Sequence, residues 1–372
     1  MKFTINKNDL VDVLSKVQGL TNRRSNLVIT ENVLIKAVTG GIYLSATDLE
    51  TGFEGFYPAE VDTDGIVALS ARKLYEIARE FPNDRILIHE IENRWIEIGN
   101  QNVQYHIVGM NADDFPETPQ INEIDFYESD AAALKKIIEE CVLISGAGDD
   151  KRAHINGAFF ERLNQDGGHL IRLVSTDGSR LSTSDAPCVT DNESTMAEGI
   201  LIPKKGLHEV AKFLDAGGSV KIGNNTSYFI VKKDVETIVI RLLEGDFPKY
   251  NEITVKSGGH DILMSKKQFI KMLKRMSILS SENYKGAVFN FNKNELIITA
   301  SNPDIGEAKE DMAIKYEGDD VEMAFNPRFF IDALSAIEED NIILNITNEE
   351  KPCLIEAESD KNYLTVIMPM RL

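Results

Sequence analysis

A chain of 372 residues with 42% hydrophobic side chains has the length for two or three domains and the material for a core in each. Its 40 Lys and Arg against 60 Asp and Glu leave a formal charge of -20, which ordinarily argues against a nucleic-acid partner. Cys141, Cys188 and Cys353 lack any Cys-x-x-Cys spacing, the start has no signal-like pattern, and no apolar run nears the roughly 18 residues of a membrane span; these features point away from a disulfide framework, a zinc site and a membrane, and toward a soluble, cytoplasmic protein.

The chain opens with an alternating strand, Met1 to Ile5, and then a helix pattern with Leu10, Val13, Leu14 and Val17 on one stripe. Asp9 is the expected N-cap and Gly19 the expected stop. Thr21 to Asn26 is polar and carries Arg23 and Arg24, where solvated charge competes with phosphate contact, and a strand is expected over Leu27 to Thr30. Strands Val33 to Val38 and Ile42 to Ala46 turn at Gly40-Gly41, and a small polar turn, Thr47-Asp48, follows. A second helix is expected from Ser70 to Phe81, stopped by Pro82-Asn83-Asp84. Strands Arg85 to Glu90, Trp95 to Gly99 and Val103 to Val108 then alternate as half-buried antiparallel strands do, and Asp114-Phe115-Pro116 and Pro119 mark a linker.

The same order returns twice. Ile124, Phe126, Ser129, Ala133, Leu134, Ile137 and Ile138 repeat the strand, cap and amphipathic helix, as do Ile262, Met264, Ser265, Phe269, Met272 and Leu273. Strand pairs ending in polar turns follow at Leu170 to Asp177 and Leu296 to Asn302, and second helices open at Pro203-Lys204-Lys205-Gly206 and Asn326-Pro327-Arg328. Asp246-Phe247-Pro248 closes the second copy as Asp114-Phe115-Pro116 closes the first. Four features in one order, three times, make an internal repeat of roughly 120 to 130 residues, too long for a solenoid. Three domains of one α+β fold are expected. The second copy also holds an irregular Gly-rich loop, Gly146 to Ala153, whose Asp149-Asp150 pair is too small a ligand set for a metal.

Counting charge by element resolves the acidic balance. The six expected helices together carry +6, with Lys266, Lys267, Lys271, Lys274 and Arg275 on one of them, so the remainder of the chain carries -26. Helices sharing one face would present positive charge to a polyanion while the acidic remainder repels it elsewhere. Arg72, Lys73, Lys204, Lys205, Lys266 and Lys271 are the helical candidates for phosphate contact. Nothing in the pattern reads bases, since neither a helix-turn-helix nor a zinc finger is present. The six histidines show no metal spacing, and Thr176-Asp177-Gly178-Ser179-Arg180, the most enzyme-like stretch, has counterparts in the other copies and reads as a repeated turn. A hydrolase using Asp177 and a histidine, and a protein-binding scaffold that does not encircle anything, are the competing readings; the first lacks convergent polar residues and the second has no need of basic helices.

The sequence resembles the β subunit of bacterial DNA polymerase III, the sliding clamp, over its whole length. The resemblance is carried by Met1-Lys2-Phe3-Thr4, Ala46-Thr47-Asp48-Leu49-Glu50, Ala71-Arg72-Lys73, Asn156-Gly157, Thr176-Asp177-Gly178 with Arg180-Leu181, Pro203 with Lys205-Gly206, the two Asp-Phe-Pro triplets with Tyr250, and Met368-Pro369-Met370-Arg371-Leu372. It implies three repeated DNA-clamp domains, over 1–122, 123–254 and 255–372, each with two helices packed on antiparallel sheets, closing as a dimeric ring around double-stranded DNA. It implies no catalysis, no metal and no cofactor. Arg24, Lys151 and Arg152 join the phosphate candidates on the resemblance. It also implies a cleft between the second and third domains for peptides of the polymerase III alpha subunit, the clamp loader and other proteins with a clamp-binding motif. The matching positions are Ile155, Thr176, Gly178, Arg180, Leu181, Pro248, Val366, Met368, Pro369, Met370 and Arg371. Glu252, Glu350 and Pro352 depart from the best-known pattern at the cleft rim. Tyr105 and Ile107 on an edge strand are expected to meet Ile278 and Leu279 of a second copy. Pro369 cannot donate to a ladder, so strand pairing is expected to end near Met368.

Overall fold

The computed structural model describes the chain except residues 22–26, 118, 120–123, 145–149, 166–167, 190–198, 215–216, 257, 281–284 and 372. The first helix, α1, runs Lys7–Thr21 directly from the strand Lys2–Asn6. Asn6, not Asp9, supplies the cap, its Oδ1 accepting from Asn8 N at 2.8 Å, because the strand feeds the helix without a connecting residue. Gly19 lies inside the helix rather than ending it. A Cβ there would stand 2.0 Å from Glu209 Oε2, so the glycine answers a close approach of side chain to backbone. The remaining helices are α2 (Ala71–Glu80), α3 (Ala131–Val142), α4 (Ala153–Asn156), α5 (Lys204–Phe213), α6 (Asn251–Thr254), α7 (Lys266–Met276) and α8 (Pro327–Ala336). Ser70 caps α2 and Asn326 caps α8 through their side-chain oxygens, whereas Asp130, one residue beyond the expected Ser129, caps α3. No helix among the described residues is long and apolar enough to cross a membrane.

The described residues group into two compact units. The first holds Met1–Lys135, Cys188–Asn192 and Lys205–Leu242. Here the strand Thr51–Thr63 is the common member of two sheets. Its start pairs with Glu236–Arg241, and its end pairs with the first strand, Lys2 opposite Thr63. That first strand continues through Arg85–Glu90 and Trp95–Gly99 to Gln104–Val108. Leu27 to Thr30, expected as a strand, instead enters a 3-10 turn over Val28–Glu31, where Asn32 Nδ2 satisfies the carbonyls of Val28 and Ile29. Leu10, Val13, Leu14 and Val17 of α1 and Leu74 and Ala78 of α2 are fully buried, as the 3.6-residue period requires.

The second unit holds Lys136–Pro187, Glu193–Lys204 and Leu243–Leu372. One of its sheets passes from Arg180–Val189 to Tyr363–Ile367, Cys353–Ala357, Asn341–Ile346 and His260–Ser265, all antiparallel. Another has the order Gly306–Ala313, Glu295–Asn302, Ala287–Asn292, Val321–Phe325. Helices α7 and α8 close the core between them, with Phe269 edge-on to Phe330 at 5.8 Å and Phe330 stacked on Phe289 at 5.3 Å.

Candidate peptide cleft and basic helices

In the second unit, Arg180 and Leu181 begin a strand opposite Ile367 and Val366. Leu181 and Val366 are buried with Val174, Tyr250 and Leu354, and Phe159 and Phe247 pack against them with part of their surface open. The five-residue turn beside them is held by its own side chains. Thr176 Oγ1 donates to Arg180 O (2.7 Å) and accepts from Gly178 N (3.0 Å), while Asp177 Oδ1 accepts from Ser179 N and Arg180 N at 3.0 Å each. Gly178 has φ of +89°, which a side chain rarely tolerates. Ile155, 1% exposed, lies beneath the turn.

Arg180 joins this turn to α8. Its Nε donates to Asp177 Oδ2 (3.0 Å), its Nη1 to Asp332 Oδ2 (2.7 Å), and the guanidinium lies 4.4 Å from the centre of the Phe329 ring. Past Ile367 the chain changes partners: Met368 N donates to Ser179 O (3.0 Å) and Met370 N to Ala324 O (2.7 Å). Pro369 between them has no N–H to give, so regular pairing ends where expected and both methionines keep exposed side chains. An open groove of about 610 Å³ runs along this tail, lined by Met323, Glu349, Glu350 and Met368 to Arg371. Pro248 is exposed beside Phe247, and Glu252 is exposed on α6. Apolar pockets with a few fixed polar anchors suit a short linear peptide.

Two aromatic residues that pack against the expected cleft positions were not among them, Phe329 and Phe247. On α8 the buried stripe is Pro327, Phe330, Ala333 and Leu334. Phe329 falls off it, and an aromatic residue displaced from the core stripe was the available signal. Phe247 stacks on Phe159 at 5.1 Å, and the repeated Asp-Phe-Pro triplet had marked it without assigning a role.

The basic residues divide by environment. Arg72 and Lys73 are exposed on α2 and share Glu76, at 2.9 and 2.7 Å; Lys205 is exposed and reaches Asp48 at 2.9 Å. Lys271 and Lys151 are exposed, and Arg152 is paired with Asp150, whose carboxyl is held down to about 2 by the guanidinium. Lys266 donates to the carbonyls of Ile337, just past the end of α8, and Glu338. Lys204 corrects the expectation of a phosphate contact. The residue is 6% exposed and its Nζ donates to Ile155 O (2.7 Å) and Thr176 O (3.1 Å), so the ammonium faces into the protein. Arg24 lies outside the described residues, as do Arg23, Asp149 and Leu372.

Of the expected interface residues, Tyr105 is exposed and Ile107 half-buried on Gln104–Val108, a strand paired on one side only among the described residues. Ile278 is 73% exposed and Leu279 half-buried just beyond α7. Among the described residues no group of three His, Cys, Asp or Glu side chains could hold a metal.

Comparison with known proteins matches the N-terminal domain of the DNA polymerase III beta subunit at residues 1–119, its central domain at 129–249 and its C-terminal domain at 256–371. The beta sliding clamp of Vibrio cholerae is 28% identical over the full length of both chains. The crystal structure of the DNA polymerase III subunit beta of Pseudomonas aeruginosa superposes with a TM-score of 0.90 at 26% identity, covering all of both chains. That of Thermotoga maritima gives 0.90 at 25% identity, covering all of this chain and 99% of the other. Three consecutive domain matches to one subunit, with full-length relatives, place the chain in the DNA polymerase III beta subunit family: it is a DNA sliding clamp and processivity factor.

Proposed function

We propose that two copies of the chain join head to tail, the first domain of one to the third of the other, and close around duplex DNA. In this reading the domains span 1–122, 123–254 and 255–372, and the chain has no reaction of its own. Arg24, Arg72, Lys73, Lys151, Arg152, Lys205, Lys266 and Lys271 touch phosphates without reading bases, which lets the ring slide instead of halting at particular sequences. The cleft residues hold peptides of the polymerase III alpha subunit, the clamp loader and other proteins with a clamp-binding motif, so the polymerase stays on its template in the cytoplasm.

The observation that carries this reading is the pair of sheet edges. Among the described residues, Gln104–Val108 has a one-sided ladder with Tyr105 and Val108 exposed, and Gly306–Ala313 likewise pairs only with Glu295–Asn302, with Ile305 and Ile278 exposed nearby. An unpaired edge invites a partner strand; Tyr105 and Val108 make the first edge partly apolar, whereas Glu307, Lys309, Glu310 and Asp311 make the second charged, and two unlike edges on one chain suit head-to-tail closure. Primer extension is the test. With loader and polymerase present, adding the protein should lengthen the products made per binding event; unchanged product lengths would refute the proposal.

A further inference from the structure

We infer that Lys204 is a positioning residue for the peptide cleft, its ammonium fixing the two backbone carbonyls on which the cleft wall rests. The inference depends on the cleft reading above and adds a residue that touches no client.

Register places the lysine. Ile200–Pro203 pairs with Gly157–Phe160, Pro203 opposite Gly157, so the residue that opens α5 arrives beside the end of α4. There Nζ donates to Ile155 O at 2.7 Å and to Thr176 O at 3.1 Å. Ile155 ends its contact under Gly178, and Thr176 begins the turn that carries Arg180. One cation thus pins the floor of the cleft and the root of its wall to a single point. The groups facing it are Asp177, Cys141 and Arg180, of which Asp177 favours the charge and Arg180 opposes it.

The arrangement is costly for the fold. Burial pushes the ammonium down to about 8, so a methionine of the same reach would fill the space without desolvating a charge. What methionine could not do is satisfy two buried carbonyls and hold them a fixed distance apart. A wall already set in its bound shape spares the peptide the cost of ordering it. Costly buried groups beside a binding surface are expected where such fixing is needed.

The test uses calorimetry with an acetylated, amidated peptide of the clamp-binding-motif type, Gln-Leu-x-Leu-Phe, on the full-length protein, Lys204→Met and Lys204→Arg. The expected result is binding to the parent protein, affinity about tenfold or more lower for Lys204→Met in a protein that still melts cooperatively, and recovery to within about threefold in Lys204→Arg, whose guanidinium also donates twice. Amide exchange at Gly178 and Ser179 should quicken in Lys204→Met while exchange in Glu295–Asn302 stays constant. Equal affinity for Lys204→Met and the parent protein overturns the inference and leaves the cleft standing. Equal losses in both variants overturn it too, since donors would then not matter, and an unfolded Lys204→Met would show a role in the whole unit instead. Failure of the parent protein to bind removes the cleft reading itself, and with it this inference.

Discussion

Replacing Met368 and Met370 together by alanine tests the cleft with the least disturbance to the backbone. Their amides, not their side chains, make the bonds to Ser179 O and Ala324 O, so the tail should keep its path. Met368 is 38% and Met370 37% exposed in the free protein. Fully burying a methionine contributes roughly 1.5–3 kcal/mol, so covering what remains open yields roughly 0.6–1.1 kcal/mol each, or about 1–2 kcal/mol for the pair. Truncation to alanine removes most of that, and Kd for a Gln-Leu-x-Leu-Phe peptide should rise about 5- to 30-fold. Methionine fits this task because its unbranched thioether repacks against related peptides at low cost. Deleting Met368 to Leu372 also removes both backbone anchors and should abolish measurable binding while the dimer persists. Calorimetry reads both variants. An unchanged Kd in the double alanine protein would refute the placement of these side chains in the cleft, and loss of the dimer on deletion would show that the tail is structural.

Substituting Ile278 with Ala and Leu279 with Lys should yield folded monomers, and sedimentation still showing dimers would remove these residues from the interface. Binding to linear duplex should be weak and fall steeply with salt; Lys73→Ala and Lys271→Ala should each flatten the slope by about one unit, while Lys204→Met should leave it unchanged because its ammonium faces inward. Burial raises the Glu140 carboxyl from 4.5 to about 6, where it accepts from Ser184 Oγ. Its folded pKa exceeds its unfolded one, so folding takes up a proton in this window, and the contribution is present at low pH and lost as pH rises from about 4.5 through 6. Glu140→Gln should flatten stability across that window and gain about 2 kcal/mol over the parent protein at pH 7, read by urea unfolding; an unaltered pH profile would contradict the assignment.

The second helix of each repeat was legible to within a residue, because Ser70 and Asn326 are local caps and the apolar stripes behind them have a clear period. The start of α1 was not, since Asn6 serves both the strand and the helix and Asp9 offers the same chemistry three residues on. The long strand Thr51–Thr63 gave little sign, as Gly52, Gly55 and Pro58 suppress a strand reading that its pairing on both sides imposes. Ile155, Leu181 and Val366 look like any core residue; only the resemblance singled them out. Lys204 shows the limit of counting charge by element. Net charge says how basic a helix is, but the direction of its first lysine depends on two carbonyls contributed by residues 28 and 49 positions away.

The central claim is topological, and retention on closed circular DNA tests it most directly. Loaded onto a nicked circle and passed through a sizing column at a salt concentration that strips linear duplex, the protein should elute with the circle. It should leave when a restriction enzyme linearises that circle, because a ring slides off a free end. Retention that survives linearisation, or no retention on the circle after loading, would contradict an encircling clamp.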